Sequence, residues 1–344
     1  MIHTLDLSYK LDLLATNYVD VIAVFIKLMA NGTGVPGIKV EINNQQAPHG
    51  RTTCLGVYCN LHIDALRLTG RRNLTTPDDY DLIAAQVNTL LAPAHLSIND
   101  MAVYRVDYCY NAIVPDQNTR SLLLRMYSKC NQSGGNMRVS HFKQQHPGAV
   151  QTINGAYSSN HKRGVQIYDK EAERQDKHIP PRDYEMGVLR LEYQTRWGEI
   201  KDAKHYDYGY WLNDNRAKSQ LRKCAALFFY GDFYTVAAAD KALLADGVSD
   251  LMRDKLHRYM VAISRYGVSA AADHCGCSAE TARRYRSTLQ EHHICPVPIP
   301  KAYGVSHIAN PFSSLLLPAA PVPAALIKKP ITQESEGEFR FHYQ

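Results

Sequence analysis

Gln166-Ile-Tyr-Asp-Lys-Glu-Ala-Glu-Arg-Gln175 sets a phenol, an ammonium and a carboxylate at the spacing Tyr168-x-Lys170-x-x-Glu173. The stretch reads as a strand entering a polar turn. Alternate side chains of a strand share a face, so Tyr168 and Lys170 are expected together, with Ile167 on the reverse. A tyrosine hydroxyl beside an ammonium can serve as a nucleophile with an anion-binding partner. A half-buried strand-end tyrosine next to a solvated lysine would give the same letters.

Two other segments carry a related pattern. Val103-Tyr-Arg-Val-Asp-Tyr-Cys-Tyr110 puts Arg105, Asp107 and Cys109 on one face and Val106, Tyr108 and Tyr110 on the other. Gly187-Val-Leu-Arg-Leu-Glu-Tyr-Gln-Thr-Arg196 puts Arg190 and Glu192 opposite Leu189 and Leu191. Charges are seldom buried unpaired. Three strands of one sheet, each with charged or hydroxyl groups on a single face, point to a shared polar cleft. Solvent-facing salt bridges on a sheet are the plainer alternative.

The elements that must position these groups follow from periodicity. Residues 1–30 show no clear period, and Val21–Met29 reads equally as a buried strand or a short helix. Gly37–Ile42 and Leu55–Ile63 alternate as half-buried strands. Asp64–Asn73 is a short helical turn ending in a glycine and the basic pair Arg71 and Arg72. Asp78–Leu91 is an amphipathic helix with an apolar stripe of Leu82, Ile83, Val87, Leu90 and Leu91. A helix over 116–130 turns Leu122, Leu123, Met126 and Tyr127 inward. Asn131–Gly164 is polar and glycine-rich, expected as loops around weak strands.

From about Lys218 to Glu291 the pattern is helical. Tyr266–Leu289 fits a helix-turn-helix, with Ser269 and Ser278 as N-caps, Gly276 in the turn and Ala282 and Leu289 inside. That arrangement leaves Arg283, Arg284 and Arg286 outside, near the start of a recognition helix. His274, Cys275 and Cys277 resemble half of a zinc site, for which His292, His293 and Cys295 are the one other ligand group of suitable type. The run of prolines from Pro296 through Pro298, Pro300, Pro318, Pro321 and Pro323 to Pro330 reads as an extended tail. The expected division is therefore 1–215, a helical region 216–295 and a Pro/Ala-rich tail 296–344.

Composition narrows the class. The 344 residues are 45% hydrophobic and 21% charged, ordinary for a soluble globular protein. No run approaches a membrane span, the first twenty residues contain no secretory apolar core, and eight cysteines in this length are no disulfide scaffold. A cytoplasmic protein without a membrane partner is expected. The net charge of +6 suits a polyanionic partner, and 22 tyrosines against 8 phenylalanines suit surfaces that stack bases. No Walker loop or G-x-G-x-x-G is present, which argues against a nucleotide-driven motor.

Taken together, Arg105-Val-Asp107, Tyr168-x-Lys170-x-x-Glu173 and Arg190-Leu-Glu192, in that order, resemble the rolling-circle replication initiators of filamentous phages, the gene-two protein family. They resemble more distantly the trans-acting initiators of small plasmids. Ile63–Asn73 is similar to that family's glycine- and asparagine-containing signature after a strand, and Ala282–Leu289 with Ile294 is similar to the ending of many members. The likeness covers roughly residues 35–295.

The resemblance implies an α+β fold, a central antiparallel sheet flanked by helices and related to the HUH endonucleases, with the helix-turn-helix region C-terminal to it. It implies an enzyme that nicks and rejoins one strand at a phage or plasmid origin through a 5′-phosphotyrosine intermediate, with Mg²⁺ or Mn²⁺. Origin DNA, duplex and single-stranded, would be the partner, with a host helicase and DNA polymerase. On this reading Tyr168 is the nucleophile and Lys170 steadies negative charge. Asp107 and Glu192 are the metal ligands, and Glu173 is a ligand or base. Arg71, Arg72, Arg105, Arg190, Arg283, Arg284 and Arg286 contact DNA. The chain lacks the His-hydrophobe-His triplet of the HUH enzymes, so the ligand set stays open, with His62 and Glu41 as further possibilities. Tyr157, Tyr206, Tyr208 and Tyr210 remain alternative nucleophiles. A non-catalytic helix-turn-helix regulator, or a scaffold working through its Pro-rich tail, would need none of the aligned carboxylates.

Overall fold

One eight-stranded antiparallel sheet carries the fold, and its two faces differ in chemistry. The computed structural model describes residues 2–12, 17–46, 54–70, 77–130, 138–143, 153–226, 228 and 231–316. β1 (Ile2–Leu11) leads to α1 (Tyr18–Asn31). β2 (Ile38–Gln46) and β3 (Cys54–Asp64) are followed by α2 (Ala65–Thr69) and α3 (Pro77–Leu91). β4 (Ala102–Ile113) precedes α4 (Gln117–Lys129). Then β5 (Arg138–Lys143), β6 (Ile153–Ser159) and β7 (Arg163–Asp169) run into α5 (Lys170–Asp176). After β8 (Val188–Arg196) come α6 (Trp197–Ala203), α7 (Tyr208–Trp211) and α8 (Asp214–Ala226). Two short strands, β9 (Phe233–Tyr234) and β10 (His307–Ile308), bracket α9 (Val236–Ala245), α10 (Asp250–Tyr266), α11 (Ala271–His274) and α12 (Ala279–Glu291). α13 (Ser313–Leu316) is the last described element.

The strand order is β2-β3-β1-β4-β8-β7-β6-β5, and every neighbouring pair is antiparallel. The chain is thus α+β, the class that the motif resemblance implies. Leu5, Leu7, Leu61, Ile63, Val106, Tyr108, Val165, Ile167, Leu189 and Leu191 are buried on one face, in a single cluster with Val21, Phe25, Ile83, Val87, Leu122, Leu123 and Leu221 from the helices. The opposite face carries Asp6, His62, Arg105, Asp107, Gln166, Tyr168, Glu192 and Gln194, which the registers place in adjoining rows.

Two irregularities in the β1–β4 pairing shape that polar face. Ile2 pairs with Tyr108 and Thr4 with Asp107, so His3 is an extra residue opposite a single step of β4. Asp6 pairs with Arg105 but Leu7 with Val103, so Tyr104 is extra on the other strand. A bulge re-aims a side chain that strict alternation would send elsewhere. It also explains why residues 1–30 lack a readable period. Ile2 and Leu5 are both buried although an odd separation should put them on opposite faces. Val21–Met29 falls within the helix α1, its N-terminal part anchored by buried Val21 and Phe25.

Several sequence expectations change. Leu82 is exposed, because α3 turns Tyr80, Ile83, Val87, Leu90 and Leu91 inward. The boundary at 215/216 falls inside α8, whose Ala217, Leu221, Cys224 and Ala225 join the sheet's own core. Part of the supposed tail is packed: Val297, Ile299, Asn310 and Phe312 are buried, and residues 317–344 lie outside the described residues. Pro296, Pro298 and Pro300 break helices but do not forbid burial of the residues between them. Asn131–Gly164 contains β5 and β6 among its described residues.

In the helical region, Ser278 caps α12 by accepting from the Thr281 amide, and Gly276 takes a left-handed φ of 60° in the turn. Ser269 caps nothing: the preceding helix is the single turn α11, entered through Ala270. No described helix is long and apolar enough to cross a membrane.

Phe312 packs 5.7 Å from Tyr127 and 6.1 Å from Tyr110, ring centroid to ring centroid, while Asn310 accepts from the Tyr127 hydroxyl at 2.7 Å. Phe312→Ala should therefore destabilise the protein by about 3–5 kcal/mol in urea unfolding. A change below about 0.5 kcal/mol would mean that this segment does not belong to the core.

Candidate active site

Tyr168 is the penultimate residue of β7 and Lys170 begins α5; Asp169, which ends the strand, makes the switch between them. Its carboxylate accepts from the Glu171 and Ala172 amides, satisfying donors that the first turn of a helix leaves free. Lys170 is therefore helical and not, as strand alternation implies, on the same strand as Tyr168. The helix nonetheless returns the ammonium to the same side, with Nζ 5.6 Å from the Tyr168 ring centroid.

Asp169 is itself held from below. Buried Arg120 of α4 donates Nε to Asp169 Oδ2 at 2.6 Å and Nη2 to Glu171 Oε2 at 2.8 Å. Its Nη1 donates to the Val114 and Pro115 carbonyls, and Glu171 also accepts from the Gly187 amide at the entry to β8. One guanidinium thereby ties the ends of β4, β7 and β8 together. A guanidinium's planar fork suits such multidentate pairing.

On the polar face, Glu192 is the hub. Its Oε2 accepts the Tyr168 hydroxyl at 3.0 Å, and its Oε1 accepts Nε2 of Gln166 at 2.7 Å and of Gln194 at 3.1 Å. Asp107 takes a bidentate pair from Arg105, at 2.9 and 2.6 Å. His3, aimed by the β1 bulge, completes a group with Asp107 and Glu192 in which one ligand atom from each lies within 4.8 Å of the others. Thr4 Oγ1 sits 3.0 Å from His3 Nδ1, which leaves Nε2 for a ligand. These groups line a cleft of about 530 Å³ whose other wall is Lys170, Glu173, Arg174 and Lys177 of α5 and its end.

The electrostatics of the cleft are unbalanced. Burial, then the charge of Glu192, raises the Asp107 carboxyl to about 7, against the pull of Arg105. Burial works to raise Glu192 too, but His3, Arg190 and the donated hydrogen bonds hold it below the usual carboxylate range. Desolvation and then Arg190 push the His3 imidazole down to about 4, so it is neutral near pH 7 and able to ligate. Tyr168 is 6% exposed, and burial and Glu192 together push its hydroxyl well above the ordinary range. Burial followed by Arg190 lowers the Lys170 ammonium. Burial opposes ionisation of Glu173, but Lys170 and Lys177 outweigh it and hold that carboxyl near 2.

The remaining predicted residues are distributed as follows. Glu173 accepts from Lys170 at 2.7 Å and also from Lys177, so it positions the Lys170 ammonium. Arg190 is 1% exposed and donates Nε to Asn111 at 2.8 Å, so it is an internal cation with no surface for a DNA backbone. Arg105 lines the cleft but is engaged by Asp107. Arg71 and Arg72 lie outside the described residues. Arg283 and Arg284 are exposed on α12, the former paired with Glu280, whereas Arg286 donates to the Tyr259 hydroxyl at 2.8 Å.

His62 lies elsewhere on the polar face, with Nδ1 3.1 Å from Asp6 and Nε2 3.2 Å from Glu41. Among the alternative tyrosines, Tyr157 shares the polar face, opposite Gln166 in register, and Arg196 donates to its hydroxyl at 2.5 Å. Tyr206 leans at a tilt against Trp197 and Tyr210 is stacked on His205, and neither they nor Tyr208 line the cleft. Cys295 is buried 3.8 Å from Cys130, and the His3 group is the one three-residue metal-type cluster among the described residues, so the zinc possibility has no counterpart there.

Sequence reasoning missed His3, Gln166, Gln194, Arg120 and Asp169. The alternations Gln166-x-Tyr168 and Glu192-x-Gln194 were available as a signal for the two amides. His3, displaced by a bulge, and Arg120, polar in a helix, gave none.

Two outcomes are expected. Arg120→Ala, which strands Asp169 in the interior, should lower stability by about 3–5 kcal/mol in chemical denaturation. MnCl₂ should raise the melting temperature of the metal-free protein, as any ligand bound only by the native state must. His3→Ala and Glu192→Ala should lose that response; if His3→Ala retains it in full, the bulge histidine is no ligand.

No model of a known protein family matches the chain. Nor is any curated protein similar enough in sequence to stand as a relative.

Proposed function

We propose that the chain is a metal-dependent DNA nicking and joining endonuclease, acting by tyrosine transesterification to initiate rolling-circle replication of a phage or plasmid. The observation that carries the reading is the convergence of His3, Asp107 and Glu192 with the Tyr168 hydroxyl and the Lys170 ammonium in one cleft. Buried charges destabilise a fold unless paired or ligated. A binding module such as a helix-turn-helix regulator would have no use for two carboxylates held this close. The one-faced antiparallel sheet is the architecture an HUH-like endonuclease needs.

The donor set fits a hard divalent cation: two carboxylates and one neutral imidazole, with the imidazole favouring Mn²⁺ over Mg²⁺. Held by His3, Asp107 and Glu192, the cation would supply Lewis-acid polarisation of the scissile phosphate. The chain's own groups do the rest. Tyr168 stays protonated at rest, and its proton already points at Glu192 Oε2. As its oxygen bonds to phosphorus, that proton passes to Glu192. The P–O3′ bond breaks, and the departing oxygen takes up a proton from solvent to become the free 3′-OH that primes synthesis. Lys170, steadied by Glu173, offsets negative charge on the phosphoryl oxygens. Rejoining is the reverse attack by a 3′-OH on the phosphotyrosine.

A second nucleophile has a specific observation in its favour. Tyr157 is more open than Tyr168, lies on the same face and meets the Arg196 guanidinium. Duplex origin contact is assigned to α11 and α12 as a helix-turn-helix, through exposed Arg283 and Arg284. A host helicase and polymerase would extend the nick.

Supercoiled DNA of the replicon that encodes the chain, incubated with MnCl₂, should yield nicked circles bearing covalently attached protein. Tyr168→Phe should remove the adduct, and Asp107→Ala should lower nicking by at least about a hundredfold while leaving salt-sensitive duplex binding in place. If Tyr168→Phe forms the adduct and Tyr157→Phe does not, the nucleophile is Tyr157. Absence of nicking by folded, metal-loaded protein rejects the enzymatic reading.

A further inference from the structure

A second concavity, of about 520 Å³, opens on the same polar face of the sheet, beyond the cleft. Its walls include Lys10, Tyr58, Asn60, Tyr104 and Trp197. Ser8 and Lys10 follow Thr4 and Asp6 along one side of β1, and the bulge in β4 puts Tyr104 on that side next to Arg105. The polar face therefore runs without a break from Asp107, past Arg105 and Asp6, to this pocket. Thr4 and Ser8 are four residue steps apart on β1, about 13 Å at strand rise.

The lining combines three kinds of contact. Trp197, the first residue of α6, is 48% exposed and leans on Tyr206, with ring centroids 5.6 Å apart and planes 35° apart. An indole of that size left open beside two tyrosines is an aromatic platform, not core. Asn60 is 6% exposed, and among the described residues nothing engages its amide, which offers both donors and an acceptor. Lys10 is exposed at the rim and makes no ion pair among the described residues. Stacking surface, an unspent amide and a free ammonium are what a base, its polar edge and its phosphate require.

We propose that this pocket holds an unstacked nucleobase of single-stranded DNA whose backbone continues into the cleft. The base stacks on Trp197, the Asn60 amide meets its polar edge, and Lys10 pairs with an adjoining phosphate. The choice of single-stranded DNA as occupant rests on the phosphodiester chemistry assigned to the cleft; the pocket's three contacts do not.

The two tryptophans make the test direct. Trp211 is 1% exposed, its indole N–H bonded to the His205 carbonyl, so a change in emission on adding DNA reports Trp197. Metal-free protein is titrated with a 20-nucleotide single-stranded DNA and with the same sequence annealed to its complement, and affinities are measured by anisotropy of the labelled strand. The single strand should quench emission and the duplex should not. Trp197→Ala should weaken single-strand binding roughly 5- to 150-fold, and Trp197→Phe should recover most of it. Trp197→Ala should keep the melting response to MnCl₂, which shows that the variant is folded. Equal single-strand affinity of Trp197→Ala and the parent, or equal quenching by the duplex, overturns the proposal. Asp107→Ala should be quenched like the parent, so Trp197-dependent binding without nicking by any variant rejects the enzymatic reading alone. Nicking that survives with unchanged single-strand affinity in Trp197→Ala rejects the pocket alone.

Discussion

The buried pair of Arg120 and Asp169 is the constraint on which the cleft depends. Asp169 has to leave a strand and start a helix within one peptide unit, and its carboxylate does so by capping α5. A carboxylate in that place, inside the protein, needs a cation. Arg120 provides it, and spends its other donors on the Val114 and Pro115 carbonyls and on Glu171. The consequence is geometric. Tyr168 is fixed as the last outward residue of β7 and Lys170 as the first of α5, with the phenol and ammonium on one wall. The pairing is internal to the apolar side, so it orders the site without taking part in its chemistry.

Across the sheet the same logic separates two kinds of charge. Arg120, Asp169 and the Arg174–Glu185 pair, at 2.6 Å, are closed sets in which each charge meets its opposite. The group at the cleft floor is not closed. Burial, and after it the charge of Glu192, raises Asp107 to about 7, although Arg105 is bidentate on it. Arg190, buried on the same face and bonded to Asn111, adds its charge to the forces that lower Glu192 and His3. Perturbed carboxylates in a cleft are what sites of chemistry have in common, because reactivity and electrostatic comfort oppose each other.

The bulges in the β1–β4 pairing serve both ends of the polar face. One turns His3 toward Asp107 and Glu192; the other sends Tyr104 to the side of the aromatic pocket. Extra residues in a ladder leave the hydrophobic register intact on either side, so Leu5, Leu7 and Val106 stay in the core. A sheet built this way can devote one face to packing and the other to polar groups without an internal conflict between them.

The sequence by itself determined the alternation of Leu189-x-Leu191 against Arg190-x-Glu192, helices over 78–91 and 116–130, which the structure places at 77–91 and 117–129, and the membership of Tyr168, Asp107 and Glu192 in one polar face. Those features are local: period and residue type decide them within a few residues. It did not determine His3, because a bulge shifts parity and erases the signal that alternation carries. It did not determine that Arg190 is internal, since neighbours along a strand say which face a charge takes but not how deeply that face is covered. The packing of 296–312 was also illegible, because prolines mark the end of regular structure and say nothing about a waiting groove around Tyr127 and Tyr110. Only the tertiary structure decided which charges meet, since strands β1, β4, β7 and β8 are far apart in the chain and adjacent only after the sheet forms.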